Sequence, residues 1–309
     1  MTIIELINLG SCGVGSVLGT GSKKGCLKQL TSARALWAFA PGSGLSGSLT
    51  KTSVQLLQAQ GKLIVMQGVN TFEENGDGDN VETLDDTTQI VTNEGKYKFM
   101  ATFTNGLDFH AALQTIKGFG NWNFAIVTSK GDIFGTEGSG DIFTGFDTGM
   151  IQPEKLTFGT TSTGQKEGIS FQFLDRAEVD SDFALIEKAN LDFDPRKIEG
   201  INECVVTYVT TPANSDTTIK VKVTLKDRKT LVTGLAFGNF TRIYDGATVN
   251  PTADDSEATG AGIYVLTVGA VATGKVETIE LYDAGGNKDV VLLAEDLYQS
   301  SVATATVSA

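Results

Sequence analysis

Asn123-Phe-Ala-Ile-Val-Thr-Ser-Lys-Gly-Asp-Ile-Phe-Gly-Thr136 sets two short apolar runs, 123–128 and 132–136, on either side of Ser129-Lys-Gly131. Runs of that length, rich in β-branched and aromatic residues and joined by a glycine-bearing tight turn, predict a β-hairpin. Downstream, residues 156–160 and 168–174 alternate apolar and polar positions around Ser162-Thr-Gly-Gln-Lys166. This predicts a second hairpin in which Ile169, Phe171 and Phe173 share a face. Upstream, residues 96–104 put Tyr97, Phe99, Ala101 and Phe103 on one face, after strands predicted at 62–69 and 88–92. Phenylalanines from these segments would meet in a common core.

Residues 107–117 carry the helical pattern: Leu107, Ala111, Gln114 and Lys117 on one stripe, Phe109, Ala112, Leu113 and Ile116 on another, with Gly118 as the stop. A shorter helix is predicted at 54–60. Residues 1–60 otherwise read as an extended arm, because stretches such as Pro41-Gly-Ser-Gly-Leu-Ser-Gly47 are too rich in small residues to read as strand. An arm of that length is expected to order against a neighbour. Residues 192–200, with Pro195 and several charges, read as a linker.

Beyond the linker, short strands are predicted at 205–209, 218–225, 240–244, 263–268, 276–282 and 290–294, separated by turn-rich stretches. Ile219, Val221, Val223 and Leu225 alternate with lysines and threonines, so one sheet face is buried and the other solvated. Residues 300–309 read as a tail or an edge strand. The fold class is therefore mainly β: an N-terminal β-sandwich or barrel with one flanking helix over 1–198, and an Ig-like β-sandwich over 199–309.

With 309 residues and 40% hydrophobic content the chain can bury large cores. Its net charge of −13 disfavours non-specific nucleic-acid binding through a basic face. Both parts are acidic: 24 acids against 16 bases in 1–200, and 13 against 8 in 201–309. Cys12, Cys26 and Cys204 are an odd set at wide spacing, which fits neither a disulfide framework nor a zinc pattern. They read as buried free thiols of a protein made in a reducing cytoplasm. No apolar run reaches 18 residues and no signal peptide is evident, so neither a membrane span nor export by that route is expected.

Catalytic candidates are few. A histidine-dependent hydrolase would have to use His110, which sits inside the predicted 107–117 helix with no nucleophile elbow elsewhere. Gly159-Thr-Thr-Ser-Thr-Gly164-Gln-Lys166 misses a phosphate loop, because glutamine stands where lysine must follow the glycine. Gly13-Val-Gly15-Ser-Val-Leu-Gly19 has one residue too many for a dinucleotide fingerprint. The acidic loop 73–86 offers Asp77 and Asp79 as oxygen ligands for Ca²⁺, but the spacing departs from an EF-hand, and a solvated loop is the simpler reading. Asp254-Asp-Ser-Glu257 is a weaker version of it. Trp37 and Trp122 are too few for a sugar-binding platform, and Trp122, beside the 123–136 hairpin, reads as a core or interface anchor. No catalytic, cofactor or metal site is assigned.

The run Gly120-Asn-Trp-Asn-Phe-Ala-Ile-Val-Thr-Ser-Lys-Gly-Asp-Ile-Phe-Gly-Thr136, followed by Leu156-Thr-Phe-Gly-Thr-Thr-Ser-Thr-Gly-Gln-Lys-Glu-Gly-Ile-Ser-Phe-Gln-Phe173, resembles virion structural proteins of tailed phages that infect Bacteroidetes. The resemblance is one of pattern and covers roughly residues 1–190. The two-part layout is similar to that of several tail-tube proteins. The resemblance implies a homo-oligomer of stacked hexameric rings around a channel through which DNA passes without specific binding. It further implies contacts with other virion proteins, assembly in a host cytoplasm and residence in the virion. Another virion position (capsid, head-tail or collar) and a host-surface adhesion module built on residues 201–309 are the alternatives. A carboxylate hydrolase stands behind both.

Overall fold

The computed structural model describes residues 30–47, 49–76, 78–83, 85, 88–162, 164–255, 262–282, 290–293 and 296–309. Cys12, Cys26, the Gly13–Gly19 glycines, Asp77 and residues 256–257 lie outside them. The chain is mainly β and divides into two units, Met1–Glu199 and Gly200–Ala309.

The first unit is built on β1 (Ala33–Phe39), β2 (Leu63–Gln67), β3 (Thr71–Glu74), β4 (Asn80–Thr83), β5 (Gln89–Asn93), β6 (Lys98–Phe103), β7 (Gly118–Phe119), β8 (Asn123–Thr128), β9 (Ile133–Gly138), β10 (Ile142–Thr144), β11 (Phe146–Pro153), β12 (Glu167–Phe173) and β13 (Phe183–Ile186). Among the described residues three α-helices punctuate them: α1 (Lys51–Ala59), α2 (Leu107–Thr115) and the single turn α3 (Ala177–Asp180). The hairpin at 123–136 forms with Ile126 opposite Phe134 and Val127 opposite Ile133.

β1 corrects the reading of residues 1–60 as an arm. It lies between β2 and β8, pairing antiparallel with both, and all its residues but Arg34 are buried. Trp37 and Phe39 enter one core with Ala125 and Val127 of β8, while Leu36 and Ala38 enter another with Phe124 and Ile126. A strand buried on both faces is a continuous apolar run without alternation, which is why its signal is faint beside the Gly-rich stretch that follows. α1 covers the first core with Val54 and is capped by Thr50, whose Oγ1 accepts from Ser53 N at 3.2 Å while Ser53 Oγ accepts from Thr50 N at 3.0 Å. α2 is the expected flanking helix, and α1 is the shorter helix expected at 54–60, starting three residues earlier.

The second core holds the expected phenylalanines. Phe124 stacks on Phe171 at 4.6 Å between ring centroids, and Phe146 meets Phe173 at 4.9 Å. β12 does not pair with residues 156–160, contrary to the predicted second hairpin. Its partners are β6 (Phe171 opposite Phe99) and β11 (Phe171 opposite Ile151), and only an isolated bridge, Thr157 to Lys166, remains of the expected pairing. Phe158 points to solvent at 73% exposure, so burial favours the other register. β11 opens against β8 (Phe146 opposite Phe124) and, past an irregularity between Thr148 and Met150, continues against β12. One strand thus joins the two layers of the sandwich, as corner strands do. Just before it, Gly145 passes so near β8 that a Cβ would lie 2.4 Å from the Phe124 carbonyl carbon.

The second unit is a two-sheet β-sandwich. One sheet runs β18 (Ala253–Asp255), β19 (Ile263–Thr267), β15 (Thr218–Leu225), β14 (Asn202–Tyr208), β22 (Asp296–Ser301), β21 (Val291–Leu293). The other runs β17 (Ala247–Thr248), β16 (Phe240–Tyr244), β20 (Val276–Leu281), β23 (Ala303–Thr306). Val221, Val223, Tyr264 and Leu266 from the first sheet meet Phe240, Ile279 and Leu281 from the second. The end of the chain is an edge strand and not a loose tail, since β23 pairs with β20.

Candidate functional site

Within the region read as an acidic loop, residues 73–74 and 80–83 are strand. β3 pairs with β6, and β4 and β5 form a separate two-stranded ribbon between β3 and β6 in the chain. Every described residue of the ribbon strands is exposed on both faces, including Val81 at 53%, Ile90 at 40% and Val91 at 54%. A lone two-stranded ribbon is at best marginally stable in water, so its base must be held.

That base is an ionic clamp. Asp79 Oδ1 accepts from Gly95 N at 2.9 Å and from Arg176 Nη1 at 2.5 Å. Arg176 Nε donates to Asp180 Oδ2 at 2.7 Å, and the Tyr97 hydroxyl donates to Asp180 Oδ1 at 2.6 Å. The Gly95 amide and the Arg176 guanidinium hold the Asp79 carboxyl below the usual carboxylate range. Tyr97 and Arg176 do the same to Asp180, and the hydrogen bond that Tyr97 gives to Asp180 raises the Tyr97 phenol in turn. Asp79 is therefore engaged by donors, and among the described residues no group of three His, Cys, Asp or Glu is placed to hold a metal ion.

Beside the clamp opens an apolar groove of about 510 Å³. Phe99, Ile126, Phe134 and Phe173 are its buried lining, with Phe72 and Leu185 half-buried. Leu30 (53% exposed) and Phe183 (52%) stand at its rim, with the acidic Glu74 and Asp180. Groove and ribbon had no signature as sites in the sequence. The exposed valines could have marked the ribbon, since Val81 and Val91 are apolar residues in an otherwise acidic, turn-rich segment.

The other candidates scatter. His110 is half-buried on α2, and its buried Nδ1 has no hydrogen-bond partner. Residues 159–162 and 164–166 fall in the loop between β11 and β12, with Ser162 N donating to Thr160 Oγ1 at 3.3 Å. Trp37 is fully buried and donates to the Pro195 carbonyl at 3.3 Å, while Trp122 packs half-buried against the second core. The described buried acids are Glu167, whose Oε2 accepts from Asn105 N at 3.0 Å, and Glu277 in the second unit. Neither lines the groove. Cys204 is buried, and desolvation pushes its thiol up to about 12. No described helix is long and apolar enough to cross a membrane.

A scan of protein-family models gives no match, and neither does a search of curated proteins. Among solved structures, the chain is similar to Bacteroides ovatus mixed-linkage glucan utilization locus SGBP-B in complex with a mixed-linkage heptasaccharide. Identity is 13% over 91% of this chain and 67% of that one, with a TM-score of 0.22. Similarity at that level carries no argument about fold or function.

Proposed function

We propose that this chain is a self-associating structural subunit of a phage virion, and specifically a tail-tube subunit that forms stacked hexameric rings around a DNA channel. The observation that carries the reading is the β4–β5 ribbon, clamped at its base and bare on both faces, with three aliphatic side chains in water. Exposed aliphatic side chains and unpaired strand edges are the raw material of protein–protein contact. The sequence resemblance of 120–136 and 156–173 to virion proteins supports the specific assignment. The net charge of −13 per subunit agrees with it, since an acidic channel repels the phosphate backbone and lets DNA slide.

Electron microscopy and sedimentation of the purified full-length chain test the reading. Rings or tubes are expected. A particle that stays monomeric at every concentration would overturn self-association. Selective binding of the chain to host glycans without assembly would replace it by the adhesion reading.

A further inference from the structure

The ribbon and the groove of the first unit have complementary surfaces. The ribbon register places Val81 opposite Val91 and Thr83 opposite Gln89, so these four side chains share one face. Glu82 lies opposite Ile90 on the reverse. On the two strands one face is therefore uncharged, with an aliphatic pair on it, and their acid, Glu82, lies on the other. The groove has an apolar floor of aromatic rings and carries Glu74 and Asp180 on its rim. That combination admits an uncharged face and repels an acidic one.

From these two surfaces we propose that the groove of one copy receives the Val81/Val91 face of the ribbon of a second copy. In their own copy both valines remain more than half exposed, and Asp79 at the foot of the ribbon is tied to Arg176, so the occupant comes from another molecule. Donor and acceptor are different surfaces. The contact is thus heterologous, and repetition closes a ring or extends a filament instead of stopping at a two-fold dimer. This inference rests on the self-association reading and adds to it the two surfaces that meet.

The test uses two full-length double variants. Val81→Asp with Val91→Asp blocks the donor; Leu30→Asp with Phe183→Asp blocks the acceptor. All four positions are exposed, and circular dichroism verifies that each variant folds. Each alone is expected to lose association by ~100-fold or more, the scale of removing a small apolar hot spot. Mixed in equal amounts they should form one heterodimer and stop, because one intact ribbon then meets one intact groove. A Val91→Cys, Phe183→Cys pair, in a chain whose three native cysteines are serine, should give an oxidised ladder on a non-reducing gel. Variants that still assemble like the parent would overturn the ribbon–groove contact and leave self-association standing. So would a mixture that stays monomeric, or a groove saturated by a small apolar dye without any effect on assembly. A parent chain that never assembles would end both.

Discussion

Arg176 Nη1 lies 2.5 Å from Asp79 Oδ1, joining residues 97 positions apart at the foot of the β4–β5 ribbon. Both Asp79 and Asp180 are held below the ordinary Asp value of 3.8. A depressed folded-state value means the clamp contributes fully above the unfolded value and is lost as pH falls through the folded one. The Gly95 amide, which donates to Asp79, is the reporter. Its hydrogen-exchange protection should hold from neutral pH to about 4 and decline below that. Protection unchanged down to pH 2 would show that the clamp does not depend on these carboxylates.

Arg176→Ala should separate the ribbon from the fold. The guanidinium is solvent-accessible, and ion pairs of that kind contribute little to global stability. The melting temperature should therefore barely move, while Gly95 loses protection and assembly weakens. A large drop in melting temperature would mean that the pair supports the sandwich itself.

Arg242 and Glu277 form a different kind of pair, buried at 1% and 0% exposure with Nη2 and Oε2 3.1 Å apart. Glu277 also accepts from the Tyr208 hydroxyl at 3.3 Å, and the Arg242 guanidinium sits 4.7 Å from the centroid of the Tyr244 ring, while its Nε has no partner. Removing one member strands a charge in the interior, so Glu277→Leu should cost about 3–5 kcal/mol, and pairing it with Arg242→Met should recover most of that. Calorimetry of the full chain reads both. Tryptophan fluorescence is unsuited, since Trp37 and Trp122 lie in the first unit. A double variant as unstable as the single one would show that the pair is worth more than a well-packed apolar replacement.

The alternating strands were legible because they have one buried face, while residues 123–128, buried on both, were legible from the tight turn that follows them. Residues 98–103, 167–173 and 218–225 alternate because one side meets a core and the other meets water, and alternation is what a strand signal consists of. β1 and the first half of β11 hide for opposite reasons. β1 is buried on both faces, so its pattern is continuous, and β11 carries Gly149 within it and Gly145 just ahead, which read as loop. The ribbon has no buried face at all; its second strand, 89–93, was legible from its apolar content, while the Asp, Asn and Gly around 75–82 read as loop. The groove is assembled from β1, β3, β6, β8, β9, β12 and β13 with α3, a conjunction that only the pairing of distant strands creates.

Two phenylalanines mark the difference between pattern and burial. Phe171, 1% exposed, stacks on Phe124 and contacts Phe99 at 5.7 Å, whereas Phe158 is 73% exposed although it stands in an equally alternating stretch. Phe171→Ala should destabilise by about 3–5 kcal/mol through lost contacts and a cavity. Phe158→Ser should stay within roughly 0.5 kcal/mol of the parent. Urea denaturation checks both, and equal costs at the two positions would contradict the β11–β12 pairing.

Cys204 tests the interior of the second unit chemically. It lies in β14 opposite Leu225 of β15, and burial alone pushes its thiol up to about 12, so almost no thiolate exists at pH 8. Since the thiolate is the attacking species, a Cys12→Ser, Cys26→Ser chain should resist iodoacetamide at pH 8 while folded and take one label in guanidinium. A reducing compartment would leave such a thiol intact, and its burial rather than its redox partner would keep it so. Labelling of the folded chain at the rate of a free thiol would mean that this part of the sheet opens on the timescale of the reaction, and that the sandwich is looser than its packed valines imply.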